Sequence, residues 1–208
     1  MQTLTFQNQK ITPCKIVCVG RNYVEHIHEL GNEIPDEPVY FIKPNSSIGS
    51  HLIAQEGLHY EGEMSFLIQN RKIAGVGFGL DLTRRDIQSR LKAKGLPWER
   101  AKAFKGAALF SEFVYIDDWS DLELRLYKNG ELVQQGSVKQ MIYKPDFLVE
   151  DIERIFGLDD GDIIMSGTPK GVGEVSAGDR FKGKIYQDGK QLVSVEFIAN
   201  AADRNLLL

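Results

Sequence analysis

The strongest constraint on the fold is a pair of two-residue turn sequences, Asn129-Gly130 and Asp188-Gly189. The first follows Leu122–Tyr127, a run in which apolar and polar residues alternate. Alternation is typical of a strand that buries one face. Asn-Gly and Asp-Gly favour the tight turns whose twist matches that of antiparallel strands. Each turn sequence therefore predicts an antiparallel hairpin.

The rest of the chain consists mostly of short predicted strands separated by turns. Runs rich in β-branched and aromatic residues at 15–20 and 39–42 predict buried strands. Helices are predicted for residues 23–30, 83–94 and 145–156, and Gly95 with Pro97 ends the second of them. The balance predicts a β-rich α+β fold, and the absence of repeats or linkers favours one domain spanning 1–208.

Composition and charge exclude several classes of protein. With 42% hydrophobic and 26% charged residues and a net charge of −4, the chain suits a globular protein and offers no nucleic-acid surface. No run approaches the ~18 apolar residues of a membrane helix, and the N-terminus lacks the pattern of a signal peptide. Cys14 and Cys18 flank an apolar pair and are expected to be buried thiols without a disulfide framework. We expect a cytoplasmic protein without a membrane partner.

Glu61 and Glu63 are the first candidate functional residues, and Asp81 and Lys102 follow them along the chain. On a strand, residues two apart point to the same face, roughly 6.5 to 7 Å apart. Two carboxylates at that spacing repel by about 2.4 kcal/mol at an effective dielectric of ~20, and a divalent cation would reverse this balance. Oxygen ligands favour Mg²⁺, Mn²⁺ or Ca²⁺ over Zn²⁺. The alternative, which the Glu-x-Glu pattern by itself favours, is a solvated strand face with two unrelated acids.

Several short motifs together give the sequence a resemblance to a known family. They are Gly20-Arg21-Asn22-Tyr23 with His26 and Glu29, Phe41-Ile42-Lys43-Pro44, the Glu61/Glu63 pair, Asp81–Asp86, Pro97-Trp98, Ala101–Phe104 and Ser166–Gly173. From about residue 15 to 208 the chain resembles the fumarylacetoacetate hydrolase family, and in particular its short members, the acylpyruvate hydrolases and related isomerases and decarboxylases. The resemblance implies a mixed β-sandwich roll of the type of the family's C-terminal domain, a bound Mg²⁺ or Mn²⁺, and a homodimer.

The resemblance also implies roles for individual residues. Glu61, Glu63 and Asp81 match the family's metal ligands, and Lys102 matches an ammonium that stabilises an enolate. His26 and Glu29 match a pair that activates water, and they share one helix face if 23–30 is helical. The positions that match substrate-binding residues are Arg21, Tyr23, Lys43, Arg85, Gln88, Gly167 and Thr168. Without the resemblance, the sequence predicts that Lys102 is a solvated lysine and that the segment around His26 is a polar surface helix.

Two segments depart from the family pattern. Lys105-Gly106-Ala107-Ala108 replaces a stretch that contains Cys-Pro in many relatives, and it is expected to place a second lysine near the pocket. The segment between Glu63 and Asp81 is shorter than in many relatives, with a tight turn at Asn70-Arg71. The first departure affects the expected substrate, and the second affects the surface.

The resemblance implies a divalent-metal-dependent hydrolase of aromatic catabolism that cleaves a carbon–carbon bond of 2,4-dioxo acids such as fumarylpyruvate or acetylpyruvate. In such a reaction the electrons of the broken bond collect as an enolate, which a metal ion and an ammonium stabilise. The same chemistry serves oxaloacetate decarboxylation and isomerisation of a 2-hydroxy-dienoate, and both stay open. A metal-stabilised binding protein without catalysis is the alternative from another class.

Overall fold

The structure, a computed structural model, describes residues 1–29, 31 and 33–202, and strands predominate in it. The strands are, in chain order, β1 (Leu4–Phe6), β2 (Gln9–Ile11), β3 (Lys15–Gly20), β4 (Val39–Pro44), β5 (Leu52–Ala54), β6 (Leu58–Tyr60), β7 (Gly62–Gln69), β8 (Lys72–Asp81), β9 (Thr83–Arg84), β10 (Ala108–Phe110), β11 (Val114–Tyr115), β12 (Leu122–Lys128), β13 (Glu131–Ser137), β14 (Ile163–Met165), β15 (Gly173–Glu174), β16 (Arg180–Gln187) and β17 (Lys190–Ala201). The helices are α1 (Val24–Glu29), α2 (Arg85–Ala93), α3 (Glu99–Lys102) and α4 (Pro145–Phe156), and short 3-10 turns span Asn45–Ser47 and Val138–Gln140.

Two large sheets form the framework. The seven-stranded sheet has the order β10-β8-β7-β14-β3-β4, with β11 also paired to β8, and the five-stranded sheet has the order β13-β12-β16-β17-β5. Two smaller sheets are β1-β2 and β15-β6-β9. Pairing is antiparallel except for β14 with β3 and β17 with β5, which are parallel. The prediction of a β-rich α+β fold is confirmed.

The larger core lies on the side of the seven-stranded sheet that faces the five-stranded sheet and α4. On β3, Val17 belongs to this core, whereas Ile16 and Cys18 belong to a smaller core on the opposite face. Burial on both faces explains why β3 has a continuous apolar run rather than an alternating one. Where the two large sheets meet, a Cβ on Gly183 would lie 2.4 Å from the Phe78 ring. Glycine at this position allows the close approach.

The predicted elements are largely confirmed. The strand 15–20, the helix 145–156 and both hairpins are present, and the turn residues Asn129 and Asp188 adopt positive φ angles of 53° and 50°. The predicted helix 83–94 begins later, at Arg85, because residues 83–84 pair with β6 as β9. The predicted helix 23–30 spans Val24–Glu29, and residue 30 lies outside the described residues.

The prediction of two buried thiols is wrong for Cys14, which is exposed in the loop before β3. Cys18 is buried on β3, and burial raises the pKa of its thiol. Both cysteines are free. Among the described residues, the helices are too short or too polar to cross a lipid bilayer.

Candidate active site

The β7–β8 hairpin brings three carboxylates together. Glu61 lies in the bend between β6 and β7, one residue before β7, and Glu63 lies on β7. Asp81 ends β8, and its N–H donates to the Glu61 carbonyl oxygen at 2.8 Å. One carboxylate oxygen from each residue lies within 4.8 Å of the others, and all three side chains are buried. The hairpin therefore brings Asp81 close to Glu63 in space, although the two residues are 18 positions apart along the chain.

Three cationic side chains surround two of these carboxylates. The Lys102 ammonium donates to Glu61 Oε2 at 2.9 Å and to Asp81 Oδ2 at 2.7 Å. Lys43 Nζ lies 2.8 Å from Asp81 Oδ1, and Arg85 Nη2 donates to Glu61 Oε1. All of these groups are at least half-buried, where ion pairs are screened less than in solvent.

Glu63 lacks such a partner, and its protonation reflects this. Among the described residues its carboxylate forms no salt bridge, and Glu63 Oε2 accepts the Gly167 N–H at 2.9 Å. Burial raises the pKa of Glu63 well above its ordinary value, and the charges of Asp81 and Glu61 raise it further. For Glu61, burial also acts to raise the pKa, but the positive charge of Lys102 and its neighbours outweighs burial and lowers it.

The donor set fits a hard divalent cation. Three carboxylates converge, and the salt bridges of the described cations reach only Glu61 and Asp81, which leaves the Glu63 carboxyl without an ionic partner among the described residues. A divalent ion would displace the proton that the raised pKa of Glu63 retains and would take one oxygen from each residue. Mg²⁺ and Mn²⁺ prefer carboxylate oxygens, and the set contains no sulfur or imidazole ligand that would favour zinc.

The pair His26 and Glu29 lies on α1, and His26 lines the same pocket as the carboxylates. His26 is buried, whereas His28 is exposed on the other side of the helix. The Nδ1 atom of His26 lies 3.1 Å from Glu29 Oε2, and Glu29 Oε1 accepts the Gly171 N–H at 2.9 Å. A second contact, between Lys170 and Glu25 at 2.8 Å, also joins α1 to the loop after β14. These contacts hold the imidazole at the pocket wall.

Four of the seven residues expected to bind substrate line this pocket. They are Arg21, Arg85, Gln88 and Thr168. Arg85 also donates to Gln88 Oε1 at 2.8 Å, which orients both side chains. The Thr168 hydroxyl donates to the Gly62 carbonyl oxygen at 2.9 Å, so its proton is used within the fold.

The other three residues do not line the pocket. Lys43, which was expected to bind substrate, is fully buried beside Asp81, and its ammonium contacts backbone carbonyls, among them that of Ala107 at 3.0 Å. Tyr23 packs into the larger core with its hydroxyl buried. Gly167 supports Glu63 through its N–H, at a φ of 97° where a Cβ would lie 2.8 Å from Asn22 Cβ.

A comparison of the chain with models of known protein families identifies the family to which it belongs. A family model described as fumarylacetoacetate (FAA) hydrolase C-terminal matches residues 15–198. The chain belongs to the fumarylacetoacetate hydrolase family. The resemblance drawn from the sequence motifs is therefore confirmed, as is the fold that it implies.

Members of this family with similar sequences include oxaloacetate tautomerases. The mitochondrial oxaloacetate tautomerase FAHD1 of Bos taurus is 38% identical over 191 residues, which cover 82% of this chain and 86% of the relative. The oxaloacetate tautomerase YcgM of Escherichia coli (strain K12) is 39% identical over 201 residues, which cover 86% and 91%.

A solved structure of the family shows which ligands such a fold can bind. The crystal structure of fumarylpyruvate hydrolase from Pseudomonas aeruginosa, in complex with Mn²⁺ and pyruvate, superposes with a TM-score of 0.87 at 30% identity. The superposition covers 97% of this chain and 96% of that one. The Mn²⁺ of that protein and the acidic triad of this one both indicate that the fold supports a divalent metal.

Two buried amide side chains, those of Asn22 and Gln134, support the site, and the sequence did not predict this role for either of them. Asn22 Oδ1 accepts the Tyr143 N–H at 2.7 Å and Asn22 Nδ2 donates to the Ser166 carbonyl at 2.8 Å, which ties the loop after β3 to the loop after β14. Gln134 Oε1 accepts the Gly62 N–H at 2.8 Å, and Gln134 Nε2 donates to Thr168 Oγ1 at 2.8 Å. Asn22 lies within a recognised motif, whereas no sequence signal singles out Gln134.

The sequence also predicted that Lys105 would lie near the pocket, and the structure places it elsewhere. That lysine is exposed and does not line the pocket. Lys92 and Trp98 line it instead, together with Phe41, whose ring lies 4.9 Å from the Lys102 ammonium. Helix periodicity could have found Lys92, since residues 85, 88 and 92 share one face of a helix.

Proposed function

We propose that the protein is a divalent-metal-dependent enzyme that interconverts the enol and keto forms of oxaloacetate. The observation that carries the proposal is the joint presence, in one pocket, of three converging carboxylates and a buried histidine. The relatives named oxaloacetate tautomerase support the substrate, since they match the chain at 38% to 39% identity.

The proposed roles follow from the contacts of each side chain. Glu61, Glu63 and Asp81 would hold the cation, which supplies Lewis-acid polarisation of the 2-oxo group when bound. Lys102 keeps its proton, because the charges of Asp81 and Glu61 outweigh the effect of burial and raise its pKa. Its ammonium therefore adds a fixed positive charge where negative charge develops on the substrate oxygen.

His26 is the proposed acid and base. In the enol-to-keto direction, Nε2 takes the proton of the enol hydroxyl and returns it to the neighbouring carbon, so no proton is gained or lost. The Nδ1–H of His26 donates a hydrogen bond to Glu29 Oε2, which orients the ring. The contact between Glu29 and the Gly171 N–H keeps the carboxylate in place during the transfer.

Hydrolysis of acylpyruvates, the reaction that the sequence ranks first, is the second candidate. The His26–Glu29 pair favours it as well, because the same imidazole can activate water for attack on a remote carbonyl. The similarity to fumarylpyruvate hydrolase supports this reaction at 30% identity. Oxaloacetate decarboxylation and dienoate isomerisation need the same cation and ammonium and remain alternatives.

The experiment follows the ultraviolet absorbance of freshly dissolved enol-oxaloacetate, with Mg²⁺ or Mn²⁺ and again with excess chelator. We expect faster decay with metal, no acceleration with chelator, and loss of the acceleration in Asp81→Asn. A decay rate equal to that of buffer plus metal refutes the tautomerase. Loss of acetylpyruvate or fumarylpyruvate absorbance would then identify the hydrolase, and carbon dioxide release from oxaloacetate would identify the decarboxylase.

Two further properties belong to this proposal. A homodimer and a cytoplasmic location are expected from the sequence and its resemblance, and the choice between Mg²⁺ and Mn²⁺ is part of the same assay. Sedimentation velocity of the purified protein measures the oligomeric state, and a species of 23.4 kDa would contradict the dimer.

A further inference from the structure

Lys92 is a pocket cation to which the proposed reaction gives no role. It lies near the end of α2, seven residues after Arg85 and four after Gln88. Residues at these spacings share one face of a helix, and all three side chains line the same pocket. The ammonium of Lys92, which is half-buried, lies 4.7 Å from the centre of the Trp98 ring.

Lys92 differs from its cationic neighbours because it has no carboxylate partner. Lys102 and Arg85 both contact Glu61, whereas the side-chain ammonium of Lys92 forms neither a salt bridge nor a hydrogen bond within the described part of the chain. Burial, together with the charges of Arg21, Arg85 and Lys102, lowers the pKa of Lys92 to about 8, while Glu61 acts in the opposite direction. A half-buried ammonium among positive charges is unfavourable until an anion joins it.

We propose that Lys92 binds a second, distal carboxylate of the substrate, so that the pocket selects 2-oxo dicarboxylic acids over 2-oxo monocarboxylic acids. The inference rests on the proposed function, in which the 2-oxo acid end of the substrate lies at the three acidic residues. Arg85 contacts Glu61 at one end of the α2 face, and Lys92 lies about 10 Å further along the helix axis. Side chains of a helix lean toward its N-terminus, so the Lys92 ammonium reaches back toward the acidic residues. The distance that remains between the ammonium and the acidic residues suits a short diacid.

Trp98 holds the Lys92 ammonium in place without taking the position of a ligand. The face of an indole ring attracts a cation but does not neutralise its charge, so Lys92 is positioned and remains able to bind an anion. If packing on Trp98 were the whole role of Lys92, its removal would affect monoacids and diacids alike. The two roles therefore differ in selectivity.

The test compares two unreactive acids of five carbons, 2-oxoglutarate and 2-oxovalerate, which differ only in the distal carboxylate. Their dissociation constants are measured by thermal shift and by calorimetry on the Mn²⁺-loaded protein and on Lys92→Met and Lys92→Arg. Lys94→Met, an exposed lysine two residues further on, is the matched control. The preference for the diacid is expected to fall by about 10- to 100-fold in Lys92→Met, because a charge-assisted hydrogen bond is lost.

In the wild-type protein the preference should also decline as pH rises through about 8, where Lys92 loses its proton. In Lys92→Arg the preference should persist, because a guanidinium stays charged. An unchanged preference in Lys92→Met, or an equal loss of affinity for both acids, would overturn the proposal. The binding measurements need no turnover. If the diacid preference depends on Lys92 but the protein is inactive on every 2-oxo acid, the proposed function is refuted and the proposal for Lys92 stands.

Discussion

Replacing Glu63 with glutamine is expected to stabilise the metal-free protein. The ligand oxygens of Asp81 and Glu61 lie within 4.8 Å of that of Glu63, and two unit charges at that distance repel by about 3.5 kcal/mol at an effective dielectric of about 20. The attraction of Lys102 and partial protonation of Glu63 offset much of this repulsion. We expect a net gain of about 1 to 2 kcal/mol in the free energy of unfolding, or about 2 to 8 °C in melting temperature.

The pH dependence follows from proton linkage. Burial, together with the charges of Asp81 and Glu61, raises the pKa of Glu63 in the folded protein above its value in the unfolded chain. The folded state therefore binds more protons between the two pKa values, and stability falls as pH rises through that interval. The advantage of Glu63→Gln should be absent below about pH 4, where both states are protonated, and largest at alkaline pH.

The assay is thermal melting in chelator at acidic and alkaline pH, repeated with Mn²⁺. The wild-type protein should gain about 2.7 kcal/mol when Mn²⁺ is at 100 times its dissociation constant, and Glu63→Gln should gain much less. Glu131→Gln, an exposed change on β13, is the control and should match wild type in both conditions. A metal-free Glu63→Gln protein that melts at or below the wild-type temperature at alkaline pH would refute the reasoning.

Three further predictions concern the histidine, a buried lysine and the contact between the sheets. His26→Asn should lower kcat by about 10²- to 10⁴-fold but leave the Mn²⁺-induced rise in melting temperature intact, and a lost metal response would mean that the role is misassigned. Lys43→Met removes a buried partner of Asp81 and should cost about 3 to 5 kcal/mol in the free energy of unfolding measured in urea, whereas a cost near zero would show that the buried ion pair does not stabilise the fold. Gly183→Ala places a Cβ 2.4 Å from the Phe78 ring and should cost about 1 to 3 kcal/mol; adding Phe78→Leu should recover part of that loss, and strictly additive effects would argue against the clash.

Local signals predicted most of the elements because they depend on neighbouring residues. The turn at Asn129-Gly130 requires positive φ angles that these two residues adopt readily, and the hairpin is present. The amphipathic pattern of 145–156 likewise yields α4 with the predicted ends. The start of α2 was missed because residues 83–84 pair with β6, and that pairing depends on a partner distant in the chain.

The candidate site was accessible from the sequence through its motifs, but the uses of several residues were not. Lys43 and Gly167 lie in motifs that match pocket positions, yet one is buried behind Asp81 and the other supports Glu63. Gln134 and Lys92 escaped attention for the opposite reason, since neither lies in a recognised motif. A motif identifies which residues act together, whereas the direction of each side chain depends on packing.

The sequence by itself determined the strand-rich character, the turns, the family and the set of three acidic residues. The strand-rich character and the turns follow from residue types and short spacings, which are local properties of the chain, whereas the family and the three acidic residues follow from the resemblance that several motifs carry together. The tertiary structure alone decided that Glu63 lacks a cation while Glu61 and Asp81 share Lys102, and that Lys92 faces the pocket without a carboxylate. Charge balance in a buried site depends on distances between residues far apart in the chain, and folding sets those distances.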